Sequence, residues 1–260
     1  MAIGVVGYTT RFRTFTLEQL EATYKKIADL GYNGPENLLG GRTGIPWEDD
    51  WKLVQKYGLK VADSRGDLDK PDETKKKADA LGVNIIGIPS LPAEMWSSVD
   101  GFKAYAEKIN KWAKDYKGYK LQYHNHAQEL RNFPSLNGKT GLQILIEDSD
   151  PDVVVFEIDT FWTSAGGGDP AQWIRRVKNR IPVVHFKDYA VDWKGREPNL
   201  GGIPWRFAEV GQGNVNWQAV TEACREAGVQ WFCVEQDYTT MDEFESLKLS
   251  INYIKGLGIK

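Results

Sequence analysis

"VVVFEIDTFWTSAGGGDPAQWIRRVKNRIPVVHFKDY", Val153 to Tyr189, sets two apolar, β-branched runs on either side of an amphipathic stretch. Val153–Thr160 and Ile181–Tyr189 read as strands. Asp169–Arg180 reads as a helix with Asp169 as its N-cap, and the glycines before it read as a loop. A strand, a helix and a second strand in this order predict two parallel strands joined by a helical crossover.

The same unit recurs in both directions. Further strands are expected at Ile3–Gly7, 34–39, 59–64, Asn84–Ser90, Lys120–His126 and Trp231–Asp237. Helices are expected at Thr16–Gly31, 46–57, 70–82, 99–116, 141–149, 216–228 and 241–258, several of them closed by a glycine. Eight strand–helix units in 260 residues predict an α/β protein with one (β/α)8 TIM-barrel domain spanning residues 1–260. An open, doubly wound sheet is the competing fold, but no G-x-G-x-x-G follows the first strand. Residues 190–213 read as a long irregular loop, which could cover a site, be disordered or make a subunit contact.

Composition narrows the function. The formal net charge is −3 and no basic stripe runs along a face, so nucleic acid is not an expected partner. Lys75, Lys76 and Lys77 sit among acids on a helix and read as a solvated face. Cys224 and Cys233 fit neither a zinc ribbon nor a disulfide framework and read as buried thiols. No apolar run reaches the roughly 18 residues of a membrane span. The N-terminus has no signal-peptide pattern. The cytoplasm is the expected location, with a trimmed export leader as the alternative, and a homo-oligomer is allowed.

In such barrels the active site lies at the C-terminal ends of the strands. The fifth strand ends in His124-Asn125-His126, the sixth in Glu157 and Asp159, and the seventh in His185, Lys187 and Asp188. The eighth ends in Glu235 and Asp237, and the second carries Glu36. Alternation puts Glu157 with Asp159, His185 with Lys187, Glu235 with Asp237, and His124 with His126, on shared faces. Imidazoles and carboxylates meeting at one end of a barrel suit a divalent cation such as Mn²⁺, Zn²⁺, Co²⁺ or Mg²⁺. Histidine titrates near neutrality, so His124 and His126 are candidates for proton transfer. Lys187 could steady developing charge or simply pair with Asp188 or Glu235. The chain has 10 tryptophans, and aromatic rings at a barrel mouth suit the C–H faces of a sugar; Trp162, just past Asp159, is the best placed.

"LQYHNHAQEL", "FEIDTFWTSAGGGDP", "VVHFKDY", "EVGQGNVNW" and "CVEQD" together resemble the sugar phosphate isomerase/epimerase family of the xylose isomerase-like, AP endonuclease family 2 superfamily. The likeness is greatest to the subgroup with Tyr-His-Asn-His at the fifth strand. It implies one divalent metal, Mn²⁺ first, held by Asp159, His185 and Glu235. A fifth-strand glutamate is usual, and Glu129 is the expected stand-in, with His124 and His126 as the alternative ligands. The implied activity is a sugar, sugar phosphate or cyclitol isomerase or epimerase, working by proton abstraction next to a carbonyl through a metal-stabilised enediolate. His124, His126, Glu235 and Lys187 are the implied catalytic groups, and Asn125, Trp162, Glu36 and Arg206 the substrate contacts. A histidine on the fifth strand departs from the two-glutamate epimerases and keeps a metal-dependent lyase or dehydratase on keto-sugars or keto-cyclitols in view. A DNA repair endonuclease, which needs several metals and many histidines, fits three histidines poorly, and a non-catalytic sugar-binding barrel is the remote alternative.

Overall fold

A computed structural model describes residues 1–191 and 205–259. Eight parallel strands form one sheet: β1 (Ala2–Val5), β2 (Gly34–Pro35), β3 (Ser64–Arg65), β4 (Ile85–Gly87), β5 (Lys120–His124), β6 (Val154–Asp159), β7 (Val183–Phe186) and β8 (Trp231–Val234). Their order is β2-β1-β8-β7-β6-β5-β4-β3. Every strand after β1 except β3 neighbours its predecessor in sequence, β2 and β3 standing at the two ends of the order, and the first strand also pairs with the last, Ala2 opposite Trp231 and Val5 opposite Val234. A doubly wound sheet reverses its strand order partway and leaves its terminal strands at edges. First-with-last pairing is the topology of the (β/α)8 barrel.

The chain falls into two compact units. One comprises Met1–Lys60, His185–Thr221 and Trp231–Lys260. In it α1 (Leu17–Leu30) begins at Thr16, whose hydroxyl accepts from the Gln19 N–H, and ends at Gly31 in the left-handed region. Leu20, Tyr24 and Ile27 form its buried stripe, and it contacts α2 (Trp47–Lys56) and α9 (Glu243–Gly256). Burial of each such side chain contributes roughly 1.5–3 kcal/mol. A close approach sets the start of β2: a Cβ at Gly34 would lie 1.8 Å from the Lys60 carbonyl oxygen. Only glycine fits there, two residues before Glu36.

The other unit comprises Val61–Val184 and Glu222–Gln230. β5 and β6 pair in register, with His124 opposite Glu157. Its helices are α3 (Pro71–Leu81), α4 (Val99–Asp115), α5 (Gly141–Asp148), α6 (Thr160–Ala165) and α7 (Pro170–Arg176). Asp159 and Asp169 cap α6 and α7 respectively. The remaining helix, α8, covers Trp217–Ala227.

Two segments differ from the sequence reading. The seventh apolar run does not continue as one strand to Tyr189. It stops at Phe186, and Asp188–Val191 pairs antiparallel with Trp205–Ala208. The 190–213 segment is therefore a hairpin at its described flanks, and residues 192–204 lie outside the described residues. The stretch after Asp159 is a six-residue helix ahead of the glycine loop, where the sequence reading named no helix; Asp159 nucleates it as N-cap. Cys224 and Cys233 are buried thiols outside any disulfide among the described residues, as expected. No helix among the described residues is long and apolar enough to cross a membrane.

Candidate metal and proton-transfer site

In the first unit His185 stands at the C-terminal end of β7 with a buried carboxylate on each side of its ring. Nε2 is 2.6 Å from Glu36 Oε2, and Nδ1 is 3.1 Å from Glu235 Oε2. Lys187, two residues on and also buried, donates from Nζ to Glu235 Oε2 at 3.0 Å and to Asp237 Oδ1 at 2.7 Å. The ring of Phe207 lies 5.3 Å from that ammonium. A neutral imidazole has one N–H donor and one lone pair. Facing two carboxylates, the ring is either an imidazolium or holds a lone pair towards a place where a cation would sit. The cluster offers one nitrogen and two carboxylates, a donor set that suits a divalent ion.

In the second unit His124, the last residue of β5, has Nε2 3.4 Å from Asp159 Oδ2. The other oxygen of Asp159 accepts from the Trp162 N–H at 2.8 Å, so the start of α6 holds the carboxylate in place. The His126 ring packs edge-on to His124 at 4.7 Å between centroids and lies 5.6 Å from Trp162. On the same side of this unit Asp63 accepts from Gln122 at 3.2 Å and pairs with Arg65 at 3.2 Å, and Glu157 lies 4.0 Å from Arg65.

The structure sorts the expected site residues. His185, Glu235 and Lys187 come together, with Glu36 added; His124, His126, Asp159 and Trp162 come together. Glu129 takes a different position. Its Oε1 accepts from the Tyr123 hydroxyl at 2.6 Å and its Oε2 from the His126 N–H at 2.9 Å, fully buried. Burial pushes its carboxyl above the usual range, against the pull of those hydrogen bonds. The fifth-strand group brought to Asp159 is His124. Asn125 is fully buried: its oxygen accepts from the Asp159 N–H and its amide donates to Thr163, so it ties β5 to α6 instead of facing a mouth. Arg206 is exposed, with Nη1 on the Phe207 carbonyl. Lys187 pairs with Glu235 and Asp237, not Asp188, which turns away to hold the 211–217 segment. Asp237, placed on one face with Glu235 by alternation, joins this group through Lys187.

Residues 24–257 match the family described as xylose isomerase-like TIM barrel. An inosose dehydratase of Geobacillus thermodenitrificans (strain NG80-2) is 30% identical over 154 residues, 54% of this chain and 48% of that protein. An inosose dehydratase of Lacticaseibacillus casei is 28% identical over 137 residues, 49% of this chain and 44% of that protein. The chain thus spans about half the length of the curated relatives it matches. A crystal structure of a sugar phosphate isomerase/epimerase from Parabacteroides distasonis ATCC 8503 superposes with a TM-score of 0.72 at 23% identity, covering 98% of this chain and 93% of that one. At that identity the likeness is one of fold.

Proposed function

The chain belongs to the xylose isomerase-like TIM barrel family, and on that premise we propose that it is a divalent-metal-dependent isomerase or epimerase of a small sugar or cyclitol. The observation that carries this reading is the buried His185 ring between Glu36 and Glu235. The metal ligands in this reading are His124, Asp159, His185 and Glu235, all bearing donors suited to an ion. Two imidazoles and two carboxylates suit Mn²⁺, Zn²⁺ or Co²⁺ better than the all-oxygen set that Mg²⁺ prefers. Glu129 leaves the ligand set because both its oxygens are engaged elsewhere. A bound divalent ion would supply Lewis-acid polarisation of substrate oxygens.

The protein's own groups do the rest. His126 is the base that takes the proton next to the carbonyl, because it lies against His124 and an imidazole is a side chain suited to proton transfer. Lys187 offsets the charge of Glu235 and Asp237, which keeps Glu235 turned towards His185. Trp162 offers its ring to the apolar face of the substrate.

A dehydratase is the second reading. It is favoured by the histidine where a two-glutamate epimerase carries an acid, and by the name of the curated relatives. Incubating the metal-loaded protein with keto-sugars and inososes in D₂O separates the two by NMR. Deuterium next to the carbonyl in a product with all its oxygens marks the isomerase or epimerase. Loss of water marks the dehydratase. Turnover with neither exchange nor elimination would sink the proton-abstraction mechanism.

A further inference from the structure

We infer that Glu36 is a positioning residue that fixes the tautomer of His185, so that Nδ1 and not Nε2 is its metal donor. The inference rests on the reading of His185 as a ligand. Glu36 is almost wholly buried at the exit of β2. Its backbone N–H donates to the Val5 carbonyl at 2.8 Å, and its Oε1 accepts from Asn37 Nδ2 at 3.3 Å. Its position is set upstream by the close approach of Gly34 to Lys60.

Two contacts of the imidazole are unequal. Nε2 lies 2.6 Å from Glu36 Oε2, and Nδ1 lies 3.1 Å from Glu235 Oε2. A lone pair facing a carboxylate oxygen at the shorter distance would be repulsive, so the proton belongs on Nε2, donated to Glu36. Glu235 Oε2 already accepts from Lys187 at 3.0 Å. The lone pair then sits on Nδ1 and faces Glu235. A carboxylate that accepts the far N–H of a ligating imidazole fixes the ring's orientation and raises its basicity. Glu36 therefore acts through His185 and does not bind the ion itself.

The test uses the full chain with Zn²⁺ as probe. Affinity is measured by competition with a chelator for wild type, Glu36→Ala, Glu36→Gln and His185→Ala. The histidine ring nitrogens of the Zn²⁺-loaded wild type are read by ¹⁵N NMR. Glu36→Ala should weaken Zn²⁺ binding roughly 10- to 100-fold, whereas Glu36→Gln, whose amide oxygen accepts the same N–H, should restore most of it. The wild-type spectrum should show His185 protonated at Nε2 and metal-bound at Nδ1, a readout that stands even where Glu36→Ala fails to fold. Unchanged affinity in Glu36→Ala overturns the inference. So does Glu36→Gln as damaging as Glu36→Ala, or metal on Nε2. If His185→Ala binds Zn²⁺ as tightly as wild type, the metal reading itself fails; neutral Glu36 variants beside a defective His185→Ala sink only the role of Glu36.

Discussion

Asp188→Asn should cost several kcal/mol of stability although it removes one charge and almost no volume. Asp188 is fully buried and gathers five donors. Oδ1 accepts from the backbone N–H of Tyr189 at 2.8 Å and of Val215 at 3.1 Å. Oδ2 accepts from the N–H of Gly211 and Gly213, both at 3.0 Å, and from Trp217 Nε1 at 2.7 Å. Residues 211–217 are folded around this carboxylate, and Gly213 is required because a Cβ there would lie 2.3 Å from Oδ1. An asparagine must place its NH₂ on one side or the other. On the Oδ1 side two donors then face a donor; on the Oδ2 side three do. Each buried N–H left without an acceptor costs roughly 1–3 kcal/mol, so two cost roughly 2–6. Relief of the buried charge offsets part of this, which gives about 3 kcal/mol. Urea unfolding followed by tryptophan fluorescence measures it, Trp217 being one of the reporters. A loss under about 1 kcal/mol would refute the claim that this carboxylate organises the segment.

Two further outcomes follow from local geometry. Burial raises the Glu129 carboxyl above its ordinary 4.5, so its stabilising contribution is complete below that pH and is lost as pH rises through the raised value. Wild type should therefore lose stability relative to Glu129→Gln as the pH rises above 4.5, measured as the difference in melting temperature; a constant or widening advantage for wild type would contradict the assignment. Gly34→Ala sets a methyl group 1.8 Å from the Lys60 carbonyl oxygen, so it should prevent folding or cost more than about 3 kcal/mol, read as soluble yield and melting temperature. A melting temperature near that of wild type would show that the chain there can shift freely.

The barrel was legible because its signal repeats. Apolar runs alternating with amphipathic helices name the strand order, and the pairing of Ala2–Val5 with Trp231–Val234 follows from closing that order. Run ends were not legible. "VVHFKDYAV" reads as one strand, since an apolar run cannot show that Asp188 starts a hairpin with a partner 20 residues away. Helix α6 is too short for a helical period to show, and its one local signal is Asp159 as N-cap.

At the site, period-two alternation at the strand ends brought out His124, Asp159, His185, Lys187 and Glu235. Glu129 escaped that logic because it lies beyond the strand. It binds Tyr123, whose side chain points to the face of β5 opposite that of His124, so it is drawn away from the mouth. Glu36 was visible as a polar strand end, but its partner His185 is 149 residues away, and no local pattern names such a pair.

The central claim is that these strand ends hold one divalent ion. Equilibrium binding of Mn²⁺ or Zn²⁺ to the purified chain tests it, with metal content determined in parallel for wild type, Asp159→Ala and His185→Ala. The account predicts one tightly bound ion per wild-type chain and loss of that ion in both variants while each stays folded. Full occupancy in both variants would contradict it.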